Sequence, residues 1–317
     1  MAFFDPAKFT DEAVDSLKTE LTGKAIIAAS GGVDSTVAAV LAAKAVGDNL
    51  LAIYVDTGYM RLDESKFVSS MLEDLGVQHK VIDASERFYE GLKGVIDPEQ
   101  KRKIIGELFI RVFEEESKKY GGNFLVQGTI APDWIESGGG IRDTIKSHHN
   151  VGGLPEDMEM ELCEPIRELY KDEVRSLAEY LKVSVAQRQP FPGPGLAVRV
   201  MGEATPKRTE IVRQACHIVE DELELAASEG KMELPWQYFA VILPVKTVGV
   251  QGDVRAYGNT IAVRAVQSYD AMTAQALEIP YPVLKKISER ITRELKSEVN
   301  RVVYDITDKP PGTIEWE

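Results

Sequence analysis

The sequence predicts an α/β protein with an open parallel β-sheet, followed by a second, smaller α+β domain. Two observations support this fold class. In the first half, short apolar runs alternate with helical runs, which is the pattern of βαβ units with right-handed crossovers. In the second half a long helix precedes several strands, and the proline- and glycine-rich run Pro190–Gly195 separates the two patterns. We therefore predict two domains, at residues 1–188 and 189–317.

The elements of the first half follow from the spacing of apolar residues. After an amphipathic helix at about 11–21, the run Lys24–Ala29 is short, apolar and flanked by glycine, which is typical of a strand buried on both faces. An alanine-rich helix begins at Asp34, and Leu50–Val55 is a second buried strand. The remaining predictions are helices at 63–75, 98–120 and 171–181 and strands at 79–82 and 123–127.

Between residues 131 and 155 the periodicity disappears among two groups of glycines. A structureless stretch of this length inside a compact domain is usually functional or disordered, and we predict a lid. In the second domain the predicted elements are helices at 207–228 and 282–295 and strands at 238–243, 246–250, 260–266 and 300–306.

Composition excludes several classes of protein. There are 37 Lys and Arg against 51 Asp and Glu, a net charge of −14, which argues against a nucleic-acid binder. No apolar run reaches the roughly 18 residues of a membrane helix, and the acidic start is unlike a signal peptide. The cysteines, Cys163 and Cys216, suggest neither a disulfide framework nor a zinc site. We expect a cytoplasmic protein without nucleic-acid or membrane partners.

A phosphate-binding turn is predicted where the first strand meets its helix. Its residues are Ser30, Gly31, Gly32, Val33, Asp34, Ser35 and Thr36. The glycines let the backbone approach a ligand, and the helix N-terminus adds unpaired N–H groups. The alternative is an ordinary tight turn with a helix cap. The spacing matches neither a Walker A loop nor a dinucleotide fingerprint.

The run SGGVDS resembles the PP-loop of the N-type ATP pyrophosphatases, which implies an adenine nucleotide alpha hydrolase-like fold. Alone, this match leaves NAD synthetase, argininosuccinate and asparagine synthetases and tRNA-modifying enzymes open. Six further segments resemble GMP synthetase in the same order: YVDTG, QGTIAPDWIES, IKSHHN, RQPFPGPGL, VKTVGVQGD and KPPGTIEWE. The resemblance runs from about residue 20 to residue 317.

The resemblance implies an ATP-dependent amination of XMP to GMP through adenylated XMP, with release of pyrophosphate and AMP. Neither cysteine lies on a glycine-flanked nucleophile turn, so the chain resembles the separate ATP-pyrophosphatase subunit. That similarity implies a separate glutamine amidotransferase subunit that supplies ammonia, and a homodimer formed through the second domain. The transfer requires Mg²⁺ and cationic side chains to neutralise charge on the leaving group.

In the first domain the turn at residues 30–36 is expected to hold the pyrophosphate portion of ATP. Asp34 is a candidate Mg²⁺ ligand or an N-cap, and Val55 is placed to line the adenine pocket. Asp133 and Glu136 lie three residues apart, so on one helical turn both carboxylates are expected to face one metal or substrate, and Asp133 is the second metal candidate. The alternative is a solvated acidic turn.

Three further side chains complete the catalytic candidates. Lys146 lies in the predicted lid, and Lys171 and Asp172 open a helix at the same edge of the sheet. The alternatives are an exposed lysine and a structural ion pair. In the second domain the resemblance implies XMP contacts from Pro192, Gly193, Pro194, Gly195, Arg264, Lys309 and Glu315. Of these, Lys309 is expected to pair with the phosphate of XMP and Glu315 with its base.

Two competing functions stay open at this point. Another ATP pyrophosphatase, such as NAD synthetase, would not need the second domain. A nucleotide-sensing protein would keep the loop for binding without XMP-dependent turnover.

Overall fold

The computed structural model describes residues 4–136, 160–184, 188–251, 254–269 and 271–317. The chain divides into two compact units. The first contains Met1–Gly58, Asp63–Phe88 and Ile105–Arg188; the second contains Tyr59–Leu62, Tyr89–Ile104 and Gln189–Glu317. Each unit is therefore assembled from three stretches of the chain.

The first unit contains the predicted parallel sheet, with five strands where the sequence predicts four. Its strands are β1 (Ala25–Ala28), β2 (Leu50–Asp56), β3 (His79–Asp83), β4 (Phe124–Val126) and β5 (Glu161–Cys163), in the order β3-β2-β1-β4-β5. The order reverses between β1 and β4. In open α/β sheets such a switch point opens a crevice at the carboxyl ends of the strands, where ligands bind.

The α-helices that the described residues form before residue 181 are α1 (Pro6–Glu20), α2 (Val33–Val46), α3 (Glu64–Asp74), α4 (Ser85–Gly91), α5 (Pro98–Tyr120), α6 (Ala131–Glu136) and α7 (Lys171–Tyr180). In α2 the run Thr36–Ala42 is entirely buried, because α1 and α7 pack against this helix. Its nearly continuous apolar sequence follows from that burial. No helix in the described parts of the chain is long and apolar enough to cross a bilayer.

The stretch predicted to lack regular structure begins with a helix, so the prediction is wrong for 131–136. The short helix α6 is supported by Asp133, whose Oδ2 accepts a hydrogen bond from the backbone N–H of Ile130 at 3.0 Å. An acid at the third helical position that reaches back to the N-cap is half of a capping box. Residues 137–155, where the lid was predicted, lie outside the described residues.

The second unit has the predicted α+β composition. A 3₁₀ turn (Gly195–Arg199) and α8 (Pro206–Ser228) precede the strands β6 (Gln237–Gln251), β7 (Val254–Gln267) and β8 (Gln275–Ala276), then α9 (Tyr281–Glu294) and β9 (Val299–Asp305). Strand β7 pairs antiparallel with β6 and β8 and parallel with β9. Helices α8 and α9 pack on each other, α8 contacts β6 and α9 contacts β9.

One prediction in this unit needs correction, because 238–243 and 246–250 form the single strand β6. The pairing register with β7 shifts between Ile242 and Lys246. Pro244 lies in this interval and has no N–H to donate, so the ladder is interrupted while the strand continues.

Candidate active site

The predicted phosphate-binding turn joins the carboxyl end of β1 to α2. Gly31 has a φ of +75°, and Gly32 is the N-cap of α2 without a side-chain cap. The hydroxyls fasten the turn to itself: Ser30 Oγ lies 2.8 Å from Ser35 Oγ, and Thr36 Oγ1 donates to the carbonyl of Gly32 at 2.7 Å. The first-turn N–H groups of α2 therefore have no capping side chain, which is the arrangement that binds anions at a helix N-terminus.

Gly128, two residues after the end of β4, packs closely against this turn. A Cβ atom at Gly128 would lie 2.8 Å from the backbone N of Ser35 and 2.9 Å from the carbonyl oxygen of Asp34. Both neighbours are backbone atoms of α2, so no side-chain rotation makes room. Position 128 therefore requires glycine for this approach of β4 to α2.

Asp34 and Lys171 form an ion pair across the two helix N-termini. Lys171 Nζ lies 2.6 Å from Asp34 Oδ2, and the two side chains are 50% and 27% exposed. Asp34 is the second residue of α2, so it is not the N-cap considered as its alternative role. Its Oδ1 is buried and has no hydrogen-bond partner among the described residues. Asp172, the next residue in α7, is exposed.

This carboxylate fits one part of a Mg²⁺ site. Mg²⁺ is usually bound by one or two carboxylates together with substrate phosphates and waters. Asp34 Oδ1 supplies a free oxygen beside the phosphate-binding turn. Within the described ranges no group of three or more His, Cys, Asp or Glu residues could hold a metal. Asp34 would therefore hold Mg²⁺ together with ligands that this group of described residues does not supply, such as phosphate oxygens and waters.

The described residues include only some of the other catalytic candidates of the first unit. Asp133 is half-buried, and the hydrogen bond from Ile130 occupies one of its oxygens. Glu136 is the last residue of α6, and its side chain lies outside what the structure describes. Lys146 lies in the undescribed stretch 137–159. The structure thus places Asp133 and Glu136 on one short helix.

At the carboxyl end of β2, Val55 is 1% exposed and packed within the sheet. Sequence reasoning missed a polar pair nearby. The Glu64 carboxylate, 6% exposed, accepts hydrogen bonds from both terminal nitrogens of Arg188 at 2.9 and 2.8 Å. A Cβ at Gly31 would lie 3.2 Å from Glu64 Oε1, so the pair formed by the buried Glu64 and the partly exposed Arg188 lies against the phosphate-binding turn. Burial and the charges of Glu64 and Asp56 raise the pKa of Tyr54 beside it.

In the second unit the run Pro192, Gly193, Pro194 and Gly195 forms a tight turn. The N–H of Gly195 donates to the carbonyl of Pro192 at 2.9 Å, and the N–H of Leu196 donates to the carbonyl of Tyr59 at 2.7 Å. Gly195 has a φ of +63°, and a Cβ there would lie 2.3 Å from the Tyr59 carbonyl oxygen. The turn is therefore held against the segment Tyr59–Leu62 and tolerates only glycine at this position.

Arg264 holds the segment that follows β9. Its side chain is fully buried and donates to the backbone carbonyls of Thr307 and, at 2.9 Å, Thr313. Asp305 lies 3.2 Å from the same guanidinium. The contacts that the structure gives Arg264 are thus to the protein backbone and to one carboxylate, and they fix the path of the last residues.

The same segment carries Lys309 and Glu315. Lys309 Nζ donates to the carbonyl of Ala271 at 2.7 Å. Glu315 accepts two hydrogen bonds from the buried Arg199, at 3.1 and 2.8 Å, and a third from Gln237 Nε2 at 3.1 Å. Residues 307–317 are therefore an ordered part of the second unit.

Relatives of this chain cover its full length. A protein of Thermococcus kodakarensis, named as a subunit of glutamine-hydrolyzing GMP synthase, is 58% identical over 313 residues, which is 98% of this chain and 99% of the relative. The relative of the same name from Methanocaldococcus jannaschii is 57% identical over 318 residues, 99% of this chain and 100% of the relative. The chain belongs to this family of GMP synthase subunits.

Two family models match separate parts of this GMP synthase family member. The model of NAD synthase matches residues 7–109, which include the phosphate-binding turn. The model of the GMP synthase C terminal domain matches residues 224–316, which include Arg264, Lys309 and Glu315. This ligase family therefore combines both kinds of domain in one chain.

Two solved structures resemble the chain. An NMN synthetase from Francisella tularensis aligns with a TM-score of 0.48 and 16% identity over 94% of this chain and 98% of that chain. An NH3-dependent NAD synthetase from Campylobacter jejuni aligns with a TM-score of 0.44 and 20% identity over 56% and 74%.

Proposed function

We propose that this member of the GMP synthase family catalyses ATP-dependent amination of XMP to GMP. The proposal rests on the phosphate-binding turn, where Asp34 Oδ1 has no hydrogen-bond partner among the described residues, in a chain that matches GMP synthase relatives along its whole length. The turn supports ATP use, and family membership supports GMP synthesis in the two-subunit type.

The chemistry proposed for the reaction has two steps. The C2 oxygen of XMP belongs to a urea-like carbonyl and is a poor leaving group. It attacks the α-phosphorus of ATP, forming adenylated XMP and releasing pyrophosphate. Ammonia then adds at C2, and AMP departs with the former C2 oxygen.

The residues of the first unit bind and orient ATP in this proposal. Residues 30–36 hold the pyrophosphate portion, and the first-turn N–H groups of α2 stabilise its charge. Lys171 neutralises further phosphate charge, and Asp34 holds Mg²⁺, which stabilises the leaving pyrophosphate when bound. Val55 contributes to the adenine pocket.

The proposal also assigns roles to four further side chains. Asp133, Glu136 and Asp172 supply carboxylates for metal or substrate. Lys146 closes over the phosphates. Val55 is almost fully buried, so in this proposal it only shapes the floor of the adenine pocket.

In the second unit the turn at residues 192–195 and the segment at 307–317 bind XMP. Lys309 pairs with the phosphate, and Glu315 accepts an N–H of the base. A carboxylate has about four lone-pair positions, and Arg199 and Gln237 occupy three of them, so one acceptor position is left for the base. Arg264 serves this site by holding the segment in place.

The proposal includes two protein partners. A separate glutaminase subunit supplies ammonia, which accords with the naming of the relatives as one subunit of a glutamine-hydrolyzing enzyme. A second copy of the chain pairs through the second unit. The outer part of the β6–β7 hairpin supports a homodimer, because Val248, Val250, Val254 and Tyr257 are between 47% and 75% exposed there. We place the protein in the cytoplasm.

The test is release of pyrophosphate and AMP by the purified chain with ATP, Mg²⁺ and XMP. We expect turnover with ammonium chloride and none with glutamine until a glutaminase subunit is added. Turnover that depends on ATP but not on XMP would point to another acceptor. Binding of ATP without turnover would indicate that the protein is a nucleotide sensor rather than an enzyme.

A further inference from the structure

The second unit contains a lysine that is completely shielded from solvent. Lys101 belongs to the first turns of α5, and its side chain is 0% exposed. Lysine is almost never fully buried unless it is paired, because its ammonium loses hydration. Burial lowers the pKa of Lys101, and the hydrogen bond and charge of Glu317 oppose that shift.

Lys101 connects two segments that are distant in sequence. Its Nζ donates to the carbonyls of Ala197 at 3.1 Å and Val200 at 2.7 Å, at the end of the 3₁₀ turn. It also donates to the carboxylate of Glu317, which is 7% exposed. The second oxygen of Glu317 accepts from the backbone N–H of Gly202 at 3.0 Å. The ammonium is therefore fully satisfied by one turn and one carboxylate.

This contact reinforces another one made by the same two segments. Arg199, in the 3₁₀ turn, binds Glu315, two residues before Glu317. The arginine also lies over the ring of Phe239, with 4.1 Å between its Cζ and the ring centroid. Two buried cations thus hold residues 315 and 317 against the turn that follows Gly195. Arg199 belongs to the turn itself, whereas Lys101 reaches it from α5.

We propose that Lys101 is a positioning residue for XMP binding, which fixes residues 313–317 against the turn at 192–200 without contacting the nucleotide. The proposal rests on the proposed function, which assigns XMP to these two segments. Both segments contact the same ammonium, so removing it weakens the attachment of Glu317, while Arg199 still binds Glu315. A carboxylate that has lost its buried partner moves towards water, because an unpaired buried charge is strongly unfavourable.

The experiment compares K101M, E317Q and the double variant with K103M in the ammonium-dependent assay. Methionine is similar in length to the aliphatic part of the lysine side chain, so K101M removes the ammonium and keeps most of the apolar volume. Lys103 is two residues further along α5 and exposed, which makes K103M the matched control. We expect K101M to raise the KM for XMP at least 10-fold while the KM for ATP changes less than twofold. K103M should match the wild type in both.

Coupling to Glu317 distinguishes positioning from general stabilisation. If Lys101 acts through Glu317, the double variant should have the XMP KM of the worse single variant rather than the product of both effects. Hydrogen exchange should also become faster at amides 312–317 in K101M and stay unchanged in β6 and β7. Unchanged XMP KM in a K101M protein of lowered thermal stability would overturn the proposal. Absence of XMP turnover in the wild type would instead overturn the proposed function.

Discussion

Gly128 packs so closely against the first turn of α2 that a Cβ there would lie only 2.8 Å from the backbone N of Ser35. The carboxyl end of β4 thus sets the position of the phosphate-binding turn at the switch point of the sheet. The first prediction follows from this close approach of Gly128 to α2.

We expect G128A to raise the KM for ATP at least 10-fold, because the added methyl group must push the first turn of α2 away from β4. Gly76→Ala is the control. Gly76 has a φ of +69°, and nothing lies within 4 Å of its Cβ position. That variant should therefore lower the stability of the protein by about 1 kcal/mol without moving the phosphate-binding turn. ATP titrations of both variants, alongside thermal unfolding, separate the two effects. Equal ATP affinities would refute the assignment.

The ion pair of Asp34 and Lys171 makes the second prediction. D34N should raise the Mg²⁺ concentration required for half-maximal activity at least 10-fold, because the free Oδ1 becomes part of a neutral amide. K171M should instead lower kcat/KM for ATP with a smaller effect on the Mg²⁺ requirement. K44M, on an exposed lysine of the same helix α2, serves as the control for loss of a surface charge. Identical Mg²⁺ titrations for D34N and wild type would exclude Asp34 as a ligand.

The buried carboxylate of Glu64, which lies against the phosphate-binding turn, gives a stability prediction. R188M leaves Glu64 without its two hydrogen bonds in a site that is 6% exposed, and we expect it to lower the free energy of unfolding by about 3 kcal/mol. The double variant R188M/E64Q should recover a large part of that loss, because no charge then remains buried. Denaturant unfolding measures both. A double variant less stable than R188M would contradict this account.

A fourth prediction concerns acid stability. Hydrogen bonds from Lys119 and Lys80, at 2.6 Å each, hold the pKa of Glu116 below its usual value of 4.5. A lowered pKa in the folded state means that the unfolded state binds more protons as the pH falls, so this contribution is present above pH 4.5 and is lost through the folded-state pKa.

Between pH 6 and 3, the free energy of unfolding should therefore fall less steeply in E116Q than in the wild type. The control is E73Q, which changes an exposed glutamate on α3. Denaturant unfolding at several pH values tests the difference in slope. Parallel curves for E116Q and wild type would show that the two lysines do not stabilise the ionised form.

The elements that sequence reasoning predicted well are those with a strong local signal. The strands β1 and β2 are continuous apolar runs, and the helix α5 extends over 23 residues, so that its predicted range coincides with the observed one. The short elements α4 and β5 were not predicted, because neither contains a continuous apolar run such as that of β1 or β4. The turn at 30–36 was recognisable because its glycines and hydroxyls are contiguous.

The polar pairs that hold the candidate sites were not predictable from local pattern. Glu64 and Arg188 are 124 residues apart, and Lys101 and Glu317 are 216 residues apart. A lysine in a charged helical run such as PEQKRK ordinarily faces solvent, so nothing in the local sequence marks Lys101 as buried. Only the tertiary fold brings such partners together.

The central position of β1 has a consequence for biosynthesis. Its residues pair with β2 soon after in the chain, but its other neighbour is β4, where Ala25 faces Phe124. While the chain emerges from the ribosome, β1 therefore keeps an apolar, unpaired edge until about 100 residues later. Contacts that close such long loops slow folding and expose strand edges to other chains. The first unit should consequently be most vulnerable to aggregation during translation rather than after it.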